Sequence, residues 1–233
     1  MKFEIVGGSF PAVELELYKG ESVYTQTCGM CWMENGITMD TNLKGGLLKT
    51  LGRLFTQESV FMTTYTCQVQ SARIGFAMQS FGSIEGFQIS PGHSLICQKT
   101  ALLVAESSVT SSVTFTKKIS AGLFGGEGFI LQRLSGNGKV FIETVGAIVE
   151  KSLGYGEELL VDTGHIVAFE ETCKYEVKMV KGLRNILYSG EGLTLIKVTG
   201  PGKVYLQTMT LEDVANSILP YIPKPQNNNN TQQ

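Results

Sequence analysis

The sequence has few of the residues from which catalytic and metal sites are usually built. Two histidines occur among its 233 residues, and charged residues make up 17% of the chain. It contains no HExxH motif, no supported Ser-His-Asp combination and no cluster of carboxylates, so the patterns typical of metalloproteases and hydrolases do not apply. We therefore expect a protein that is not an enzyme and has no catalytic, cofactor-binding or metal-binding residues.

An excess of positive charge is also lacking. The 19 Lys and Arg residues face 21 Asp and Glu residues, which leaves a net charge of −2. Proteins that bind nucleic acids usually carry a cationic footprint in their composition. The charge balance therefore argues against nucleic acid as a partner.

Long apolar runs and leader segments are absent as well. No stretch approaches the 18 or so uninterrupted apolar residues typical of a membrane-spanning helix, and the start MKFEIVGGSFPAV lacks the apolar core of a secretory signal. The cysteines are odd in number, which favours free thiols in a reducing compartment; they are Cys28, Cys31, Cys67, Cys97 and Cys173. We expect a cytoplasmic protein.

What the sequence does contain is an internal repeat. Residues 189–210 align without a gap on residues 125–146 at an offset of 64, with nine of 22 positions identical. The identical residues of the earlier copy are Gly126, Glu127, Gly128, Leu131, Gly136, Gly138, Lys139, Val140 and Thr144. The match extends back to residues 82–84 and 91–95 at the same offset. A fixed period indicates that one supersecondary unit was copied.

A third, weaker copy opens the chain. Residues 17–23 resemble residues 153–159, and residues 57–61 resemble residues 126–130, with offsets that vary because of insertions. We predict three repeats, of about residues 1–81, 82–145 and 146–210, arranged with pseudo-threefold symmetry. Together with a C-terminal helix they form a single compact unit spanning residues 1–223.

The pattern within each copy is that of β-strands. Residues 13–17, VELEL, alternate apolar and polar side chains, and residues 109–115 are rich in β-branched residues. Turn signals recur at even spacing, and Asn35-Gly36 is typical of a type I′ hairpin turn. Many short strands of this kind predict an all-β sandwich or barrel.

Two segments have the pattern of amphipathic helices. In residues 211–219 the apolar side chains share one face, Thr210 and Asp213 can cap its start, and Pro220 ends it. Residues 45–55, GGLLKTLGRLF, place leucines opposite Lys49 and Arg53; such a face covers the end of a sandwich or lies on a membrane surface. The tail 224–233 has nothing to bury, and we expect it to be disordered.

Several segments in order resemble the altered inheritance of mitochondria family. They are residues 46–48 (GLL), 53–55 (RLF), 58–61 (ESVF), 138–140 (GKV), 164–170 (GHIVAFE) and 218–223 (ILPYIP). The resemblance covers about residues 1–223. It implies a fold similar to the tryptophan RNA-binding attenuation protein (TRAP), a double-stranded β-helix-like β-sandwich present three times in one chain. It implies no established reaction. The fungal members are linked to the mitochondrial inner membrane, whereas this chain, without a transit peptide, is expected to be a bacterial cytoplasmic member.

Cys28 and Cys31 form a CxxC motif, which can carry out disulfide exchange or supply half of a zinc site. Here the motif precedes a segment with the pattern of a strand and a turn, residues 32–36. Residues at i and i+3 of a strand point to opposite faces, so the two thiols would not readily share a metal. We interpret them as structural, and a thiol redox or metal-binding protein remains the alternative.

The remaining polar candidates have plain structural explanations. His93 and His165 lie at turns, where a ring nitrogen forms hydrogen bonds, and the Gly-Lys pairs at 138–139 and 202–203 lack the spacing of a phosphate loop. Glu58, Glu127 and Glu191 recur at matching places, where they could bind a cation or simply face solvent. Lys117-Lys118 is the basic pair that an RNA edge would need, but it has no counterpart in the other copies.

The function favoured by these observations is a non-catalytic binding or scaffolding protein. Its partner is another protein or a second copy of the chain, because exposed strand edges tend to find partners. RNA or small-molecule binding by analogy with the TRAP fold is a further alternative, and peripheral membrane association through residues 45–55 is a weaker one.

Overall fold

The computed structural model describes residues 1–26, 29–43, 61–78, 80–117, 128–179 and 194–223. These residues form nineteen β-strands and one short α-helix near the C-terminus, which confirms the prediction of an all-β fold with a C-terminal helix. Two predicted segments, 45–55 and 224–233, lie outside the described residues. Among the residues that are described, no helix is both long and apolar enough to cross a membrane.

The strands are short and follow one another closely. The first seven are β1 (Lys2–Val6), β2 (Ala12–Tyr18), β3 (Ser22–Thr25), β4 (Met30–Met33), β5 (Ile37–Leu43), β6 (Phe61–Cys67) and β7 (Ser71–Ala77). The next six are β8 (Gly82–Ile89), β9 (Leu95–Gln98), β10 (Leu102–Glu106), β11 (Val109–Lys117), β12 (Phe129–Gly136) and β13 (Gly138–Val145). The last six are β14 (Ile148–Leu153), β15 (Glu158–Asp162), β16 (Ile166–Glu170), β17 (Lys174–Met179), β18 (Thr194–Thr199) and β19 (Gly202–Gln207).

The strands form four antiparallel sheets. Sheet I has the order β1-β2-β7-β4 and sheet II the order β5-β6-β3-β10-β13-β8. Sheet III has the order β11-β12-β9-β16-β19-β14, and sheet IV the order β15-β18-β17. Sheet II therefore contains strands from residues 22–67 and from residues 82–145, and sheet III contains strands from residues 95–136 and from residues 148–207.

One pairing order recurs in three blocks of six strands, which we call block 1 (β2–β7), block 2 (β8–β13) and block 3 (β14–β19). In each block the fifth strand lies between the fourth and the second, and the sixth lies between the first and the third. Each third strand also has a bulge near its start. That these blocks are three copies with pseudo-threefold symmetry, and that their fold is TRAP-like, stays a prediction.

The core lies between successive sheets as three clusters of buried side chains. The first cluster joins sheets I and II, the second joins sheets II and III, and the third joins sheets III and IV. The alternation in β2 places Val13, Leu15 and Leu17 in the first cluster with no exposed surface. The apolar and polar alternation of the sequence thus specifies which face of each strand is buried.

The hairpin predicted at Asn35-Gly36 is wrong. β4 pairs with β7 in sheet I, whereas β5 pairs with β6 in sheet II, so this turn carries the chain from one sheet to the other. Gly36 does have the left-handed conformation expected of such a turn, with φ +98°. The dipeptide reports this local backbone preference, but strand partners are selected by burial and pairing elsewhere in the fold.

The helix α1 spans Leu211–Ile218. The Thr210 hydroxyl accepts a hydrogen bond from the Asp213 backbone N–H at 3.0 Å, and the Asp213 carboxylate accepts one from the Thr210 N–H at 2.8 Å. This reciprocal pair confirms the predicted cap. No residue of α1 is buried, so its apolar face lies outside the three core clusters.

Candidate functional site

Of the four thiols in the described part of the chain, one is exposed and three are buried. Cys31 is exposed on β4, where its Sγ lies 3.6 Å from the Gly29 carbonyl oxygen, while Cys67, Cys97 and Cys173 are buried. Cys28 lies outside the described residues, so the structure does not describe the CxxC pair. In the described part of the chain, no group of three or more His, Cys, Asp and Glu side chains is placed to hold a metal ion.

Burial makes two of the thiols poor nucleophiles. It raises the pKa of Cys97 to about 12 and also raises the pKa of Cys173. The thiolate is the reactive form, so these thiols stay protonated and inert at neutral pH. They pack as apolar side chains.

The difference in burial predicts the order of thiol reactivity. In the folded protein Cys31 should react with a thiol reagent at the rate typical of an exposed cysteine. Cys97 and Cys173 should react only after denaturation. Mass spectrometry of alkylated peptides measures this order, with a Cys31→Ser variant as the control that loses the fast site. Labelling of native Cys97 as fast as Cys31 would contradict the burial.

Both histidines form hydrogen bonds within turns. The His165 ring Nδ1 lies 2.9 Å from the Gln207 carbonyl oxygen, and the His165 backbone N–H donates to the Asp162 carbonyl at 2.9 Å. The His93 backbone N–H donates to the Ser90 carbonyl at 2.9 Å. The expected role of His165, hydrogen bonding at a turn, is confirmed.

The structure describes a set of recurring glutamates other than the one singled out in the sequence. Glu58, Glu127, Glu191 and Lys118 lie outside the described residues. Instead, a glutamate follows the third strand of block 1 and ends the third strand of blocks 2 and 3. Its carboxylate accepts a backbone N–H from the sixth strand in each block: Glu34 from Arg73 at 2.8 Å, Glu106 from Lys139 at 2.5 Å and Glu170 from Lys203 at 3.0 Å.

These glutamates show which residues of the three blocks correspond. They end the triplets Trp-Met-Glu, Val-Ala-Glu and Ala-Phe-Glu at residues 32–34, 104–106 and 168–170. The first triplet does not align at the 64-residue offset, because an insertion places it 72 residues before the second. Met33, Ala105 and Phe169 therefore occupy one structural position.

Consecutive blocks are joined by the same type of strand pair, which we call a junction. The second strand of one block pairs with the third strand of the next: β3 with β10, and β9 with β16. Tyr24 lies opposite Ala105 in the first junction, and Ile96 lies opposite Phe169 in the second.

Each junction is closed by matching hydrogen bonds. The Ser107 backbone N–H donates to the Ser22 carbonyl at 3.0 Å in the first junction, and the Glu171 N–H donates to the Ser94 carbonyl at 3.2 Å in the second.

Side chains add a second set of bonds to each junction. In the first junction the Thr25 hydroxyl donates to the Leu103 carbonyl at 2.7 Å. Beside the second, the Gln98 amide of β9 donates at 2.6 Å to the carbonyl of Thr163, which lies between β15 and β16. Arg133 also forms a two-pronged ion pair with Glu171 at 2.8 Å. The junctions are therefore ordered interfaces between blocks.

Two strands hold the halves of a third junction that the described chain does not make. β4 is the third strand of block 1 and β15 is the second strand of block 3, and within the described ranges each is the last strand of its sheet. We call β4 and β15 the open edges. Other edge strands of the fold, such as β5, β11 and β17, are edges in every block.

The side chains at the open edges are exposed where their counterparts are buried. Leu160 on β15 occupies the position of Tyr24 and Ile96, and its exposed fraction is 60% against 2% and 8%. Met33 on β4 is 41% exposed, whereas Ala105 and Phe169 are both 0% exposed. Positions that are buried in the core at the two junctions are therefore exposed to solvent at the open edges.

Trp32 of β4 packs against the neighbouring strand β7. The ring lies over Gly75 of β7, where an added Cβ would come within 2.1 Å of it, and its Nε1 donates to the Glu14 carboxylate at 3.1 Å. In the other blocks the cross-strand pair places the large ring on the sixth strand, as Val104 opposite Phe141 and Ala168 opposite Tyr205. In block 1 the exchange places the aromatic ring on the open edge, where it is 41% exposed.

The electrostatics of the two edges differ. β4 carries no charged residue between Met30 and Met33. β15 carries its charges at its two ends, and Glu158 at the first end pairs with Lys197 of β18 at 2.6 Å. The hydrogen bond from Lys197 lowers the pKa of Glu158 and raises that of Lys197. The centre of β15, residues 159–161, is apolar.

Comparison with known proteins places the chain in a wider group of related proteins. The family model for mitochondrial biogenesis AIM24 matches residues 3–209. A Streptococcus pyogenes serotype M6 protein, described as uncharacterized, is 26% identical over 226 residues, which is 94% of this chain and 89% of that protein. A crystal structure of a Streptococcus pyogenes protein is similar with a TM-score of 0.77 at 24% identity, over 95% of this chain and 99% of that chain.

Proposed function

The chain belongs to the mitochondrial biogenesis AIM24 family, and we propose that it is a non-catalytic scaffolding protein that binds other proteins through its open edges. The observation that carries this proposal is the solvent exposure of apolar side chains on both β4 and β15. Leu160, Trp32 and Met33 are exposed at positions that two equivalent junctions bury.

Strand physics supports protein binding at these edges. An edge strand presents unpaired backbone N–H and C=O groups that can add a further strand. Natural edges are commonly protected by charges or proline, and β4 has neither. An exposed edge of this composition is typical of a surface that has a partner.

The absence of a reaction and a cytoplasmic location belong to the same proposal. The histidines are held in turns by hydrogen bonds, and Cys31, Cys67, Cys97 and Cys173 are free thiols, as in proteins of reducing compartments. The exposure of Cys31 is the one observation that favours the alternative, a thiol redox or metal-binding protein that uses Cys28 and Cys31.

Partner capture from the native host tests the proposal. The bait is the full chain, compared with a variant that carries Met33→Lys and Leu160→Lys and with a Val113→Lys control. Val113 is 47% exposed on β11, so the control adds the same charge to a strand that is an edge in every block. We expect the wild type and the control to retain proteins that the double variant loses.

The result that would overturn the proposal is an identical set of captured proteins for all three baits. A copy of the chain itself does not count in this comparison, and the proteins scored are those with other sequences.

A further inference from the structure

We propose that β15 of one copy of this chain pairs with β4 of a second copy, so that copies associate head to tail. This inference goes beyond the proposed function, because it uses the same open edges but takes a second copy of the chain as the partner. Its basis is that the chain already makes the same second-strand to third-strand pair twice within itself, as β3–β10 and β9–β16. β15 and β4 are the remaining second and third strands.

The two internal junctions define the register between copies. Ile96 lies opposite Phe169 and Cys97 lies opposite Ala168. The corresponding pairs are Leu160 opposite Met33, and Val161 opposite Trp32. The backbone bond that recurs at both junctions corresponds to a hydrogen bond from the Asn35 N–H to the Glu158 carbonyl.

Burial gives this contact its driving force. Tyr24 and Ala105 both belong to the second core cluster, and Ile96 and Phe169 both belong to the third. Leu160 and Met33 would form the matching pair between copies, covering side chains that are now 60% and 41% exposed. Apolar area removed from water contributes roughly 25 cal/mol per Å², so large exposed side chains at matched positions favour association.

Charge does not oppose the contact. β4 contributes no charged side chain, and Glu158 of β15 is already neutralised by Lys197 at 2.6 Å. Glu34, which follows β4, is bound to the Arg73 backbone N–H and would lie opposite Leu159. No two like charges come opposite one another in this register.

The interface is heterologous, because the two surfaces that meet are different. Such contacts produce a closed ring when the rotation between copies closes and an open series of copies when it does not. They also leave one unused β4 and one unused β15 on any open assembly. This property distinguishes the proposal from a symmetric dimer formed by two β4 strands or by two β15 strands.

Two single variants, each blocked at one edge, test the arrangement. Leu160→Lys blocks β15 and leaves β4 open, and Met33→Lys blocks β4 and leaves β15 open. Each lysine would bury an unpaired charge in the interface, so we expect each variant alone to associate at least ~100-fold more weakly than the wild type. Mixed in equal amounts, the two variants should form heterodimers that grow no further.

Sedimentation velocity and native mass spectrometry measure these species at increasing protein concentration. The wild type and the Val113→Lys control should form dimers and larger assemblies or one closed ring. Because Leu160 and Met33 are exposed, both lysine variants should keep the circular dichroism spectrum and melting temperature of the wild-type monomer.

Four results would overturn the inference. The first is a wild type that stays monomeric at every concentration. The second and third are formation of dimers by the Leu160→Lys variant by itself, or by the Met33→Lys variant by itself. The fourth is an equal mixture of the two variants that stays monomeric. If such a result occurs while the capture of other proteins still depends on the open edges, the proposed function stands and the self-association falls. If the mixture forms heterodimers but the capture of other proteins does not depend on the open edges, the self-association stands and the proposed function falls.

Discussion

Replacing Phe169 with alanine is expected to lower the free energy of unfolding by about 3–5 kcal/mol, the usual cost of removing a buried aromatic side chain. Phe169 is 0% exposed, lies opposite Ile96 at the second junction, and its ring centroid is 5.2 Å from that of Tyr175. The substitution leaves a cavity in the third core cluster. Urea denaturation followed by circular dichroism measures the change.

Met33→Ala is the matched control, because Met33 occupies the same position in block 1. Its side chain is 41% exposed, so the free energy of unfolding should change by less than about 0.5 kcal/mol at a concentration where the chain is monomeric. Equal losses for Phe169→Ala and Met33→Ala would mean that Met33 is buried within a single copy. That result would contradict the description of β4 as an open edge.

Replacing Glu143 with glutamine is expected to remove a pH-dependent loss of stability. Burial raises the pKa of the Glu143 carboxyl from 4.5 to about 7, and its Oε2 is buried without a hydrogen-bond partner among the described residues. The folded protein holds this proton more tightly than the unfolded chain. Stability should therefore fall as pH rises from 4.5 to about 7, by on the order of 3 kcal/mol.

Gln207 shows what glutamine does at this position, since it lies 64 residues after Glu143 in the aligned repeat. It accepts the Val145 backbone N–H at 3.0 Å and donates to the Gly164 carbonyl at 2.7 Å. Denaturation at about pH 5 and about pH 8 should show a smaller pH dependence for Glu143→Gln than for the wild type. The same loss of stability in both proteins would show that Glu143 is not the group responsible.

The strand pattern is accessible from the sequence because the alternation of side chains along a strand is a local property, and the repeat is accessible because two stretches of the chain align directly. Alternation in β2 predicts which side chains are buried, and the 64-residue offset places Leu160 at the position of Ile96. The Thr210 cap is equally local, and the structure has the predicted hydrogen bonds.

The candidate site could not be predicted in the same way, because it depends on which strands pair between blocks. Asn35-Gly36 predicts a hairpin, but the flanking strands pair in different sheets. A turn preference contains no information about the sheet in which each strand lies. The sequence also gave no sign that Trp32 takes the space that Gly75 leaves, because the two residues meet across strands 43 residues apart in the chain. Open edges become visible when the pairing of every block is compared.

Hydrogen–deuterium exchange of the strand amides tests the central claim most directly, that β4 and β15 are the unpaired halves of a junction. In dilute, monomeric protein the peptides covering β4 and β15 should exchange faster than those covering β9 and β16, whose outer sides are paired. As concentration rises, β4 and β15 should become protected while β9 and β16 stay unchanged. Protection of β4 and β15 already in the dilute monomer would contradict the account, because the junction would then be closed within one chain.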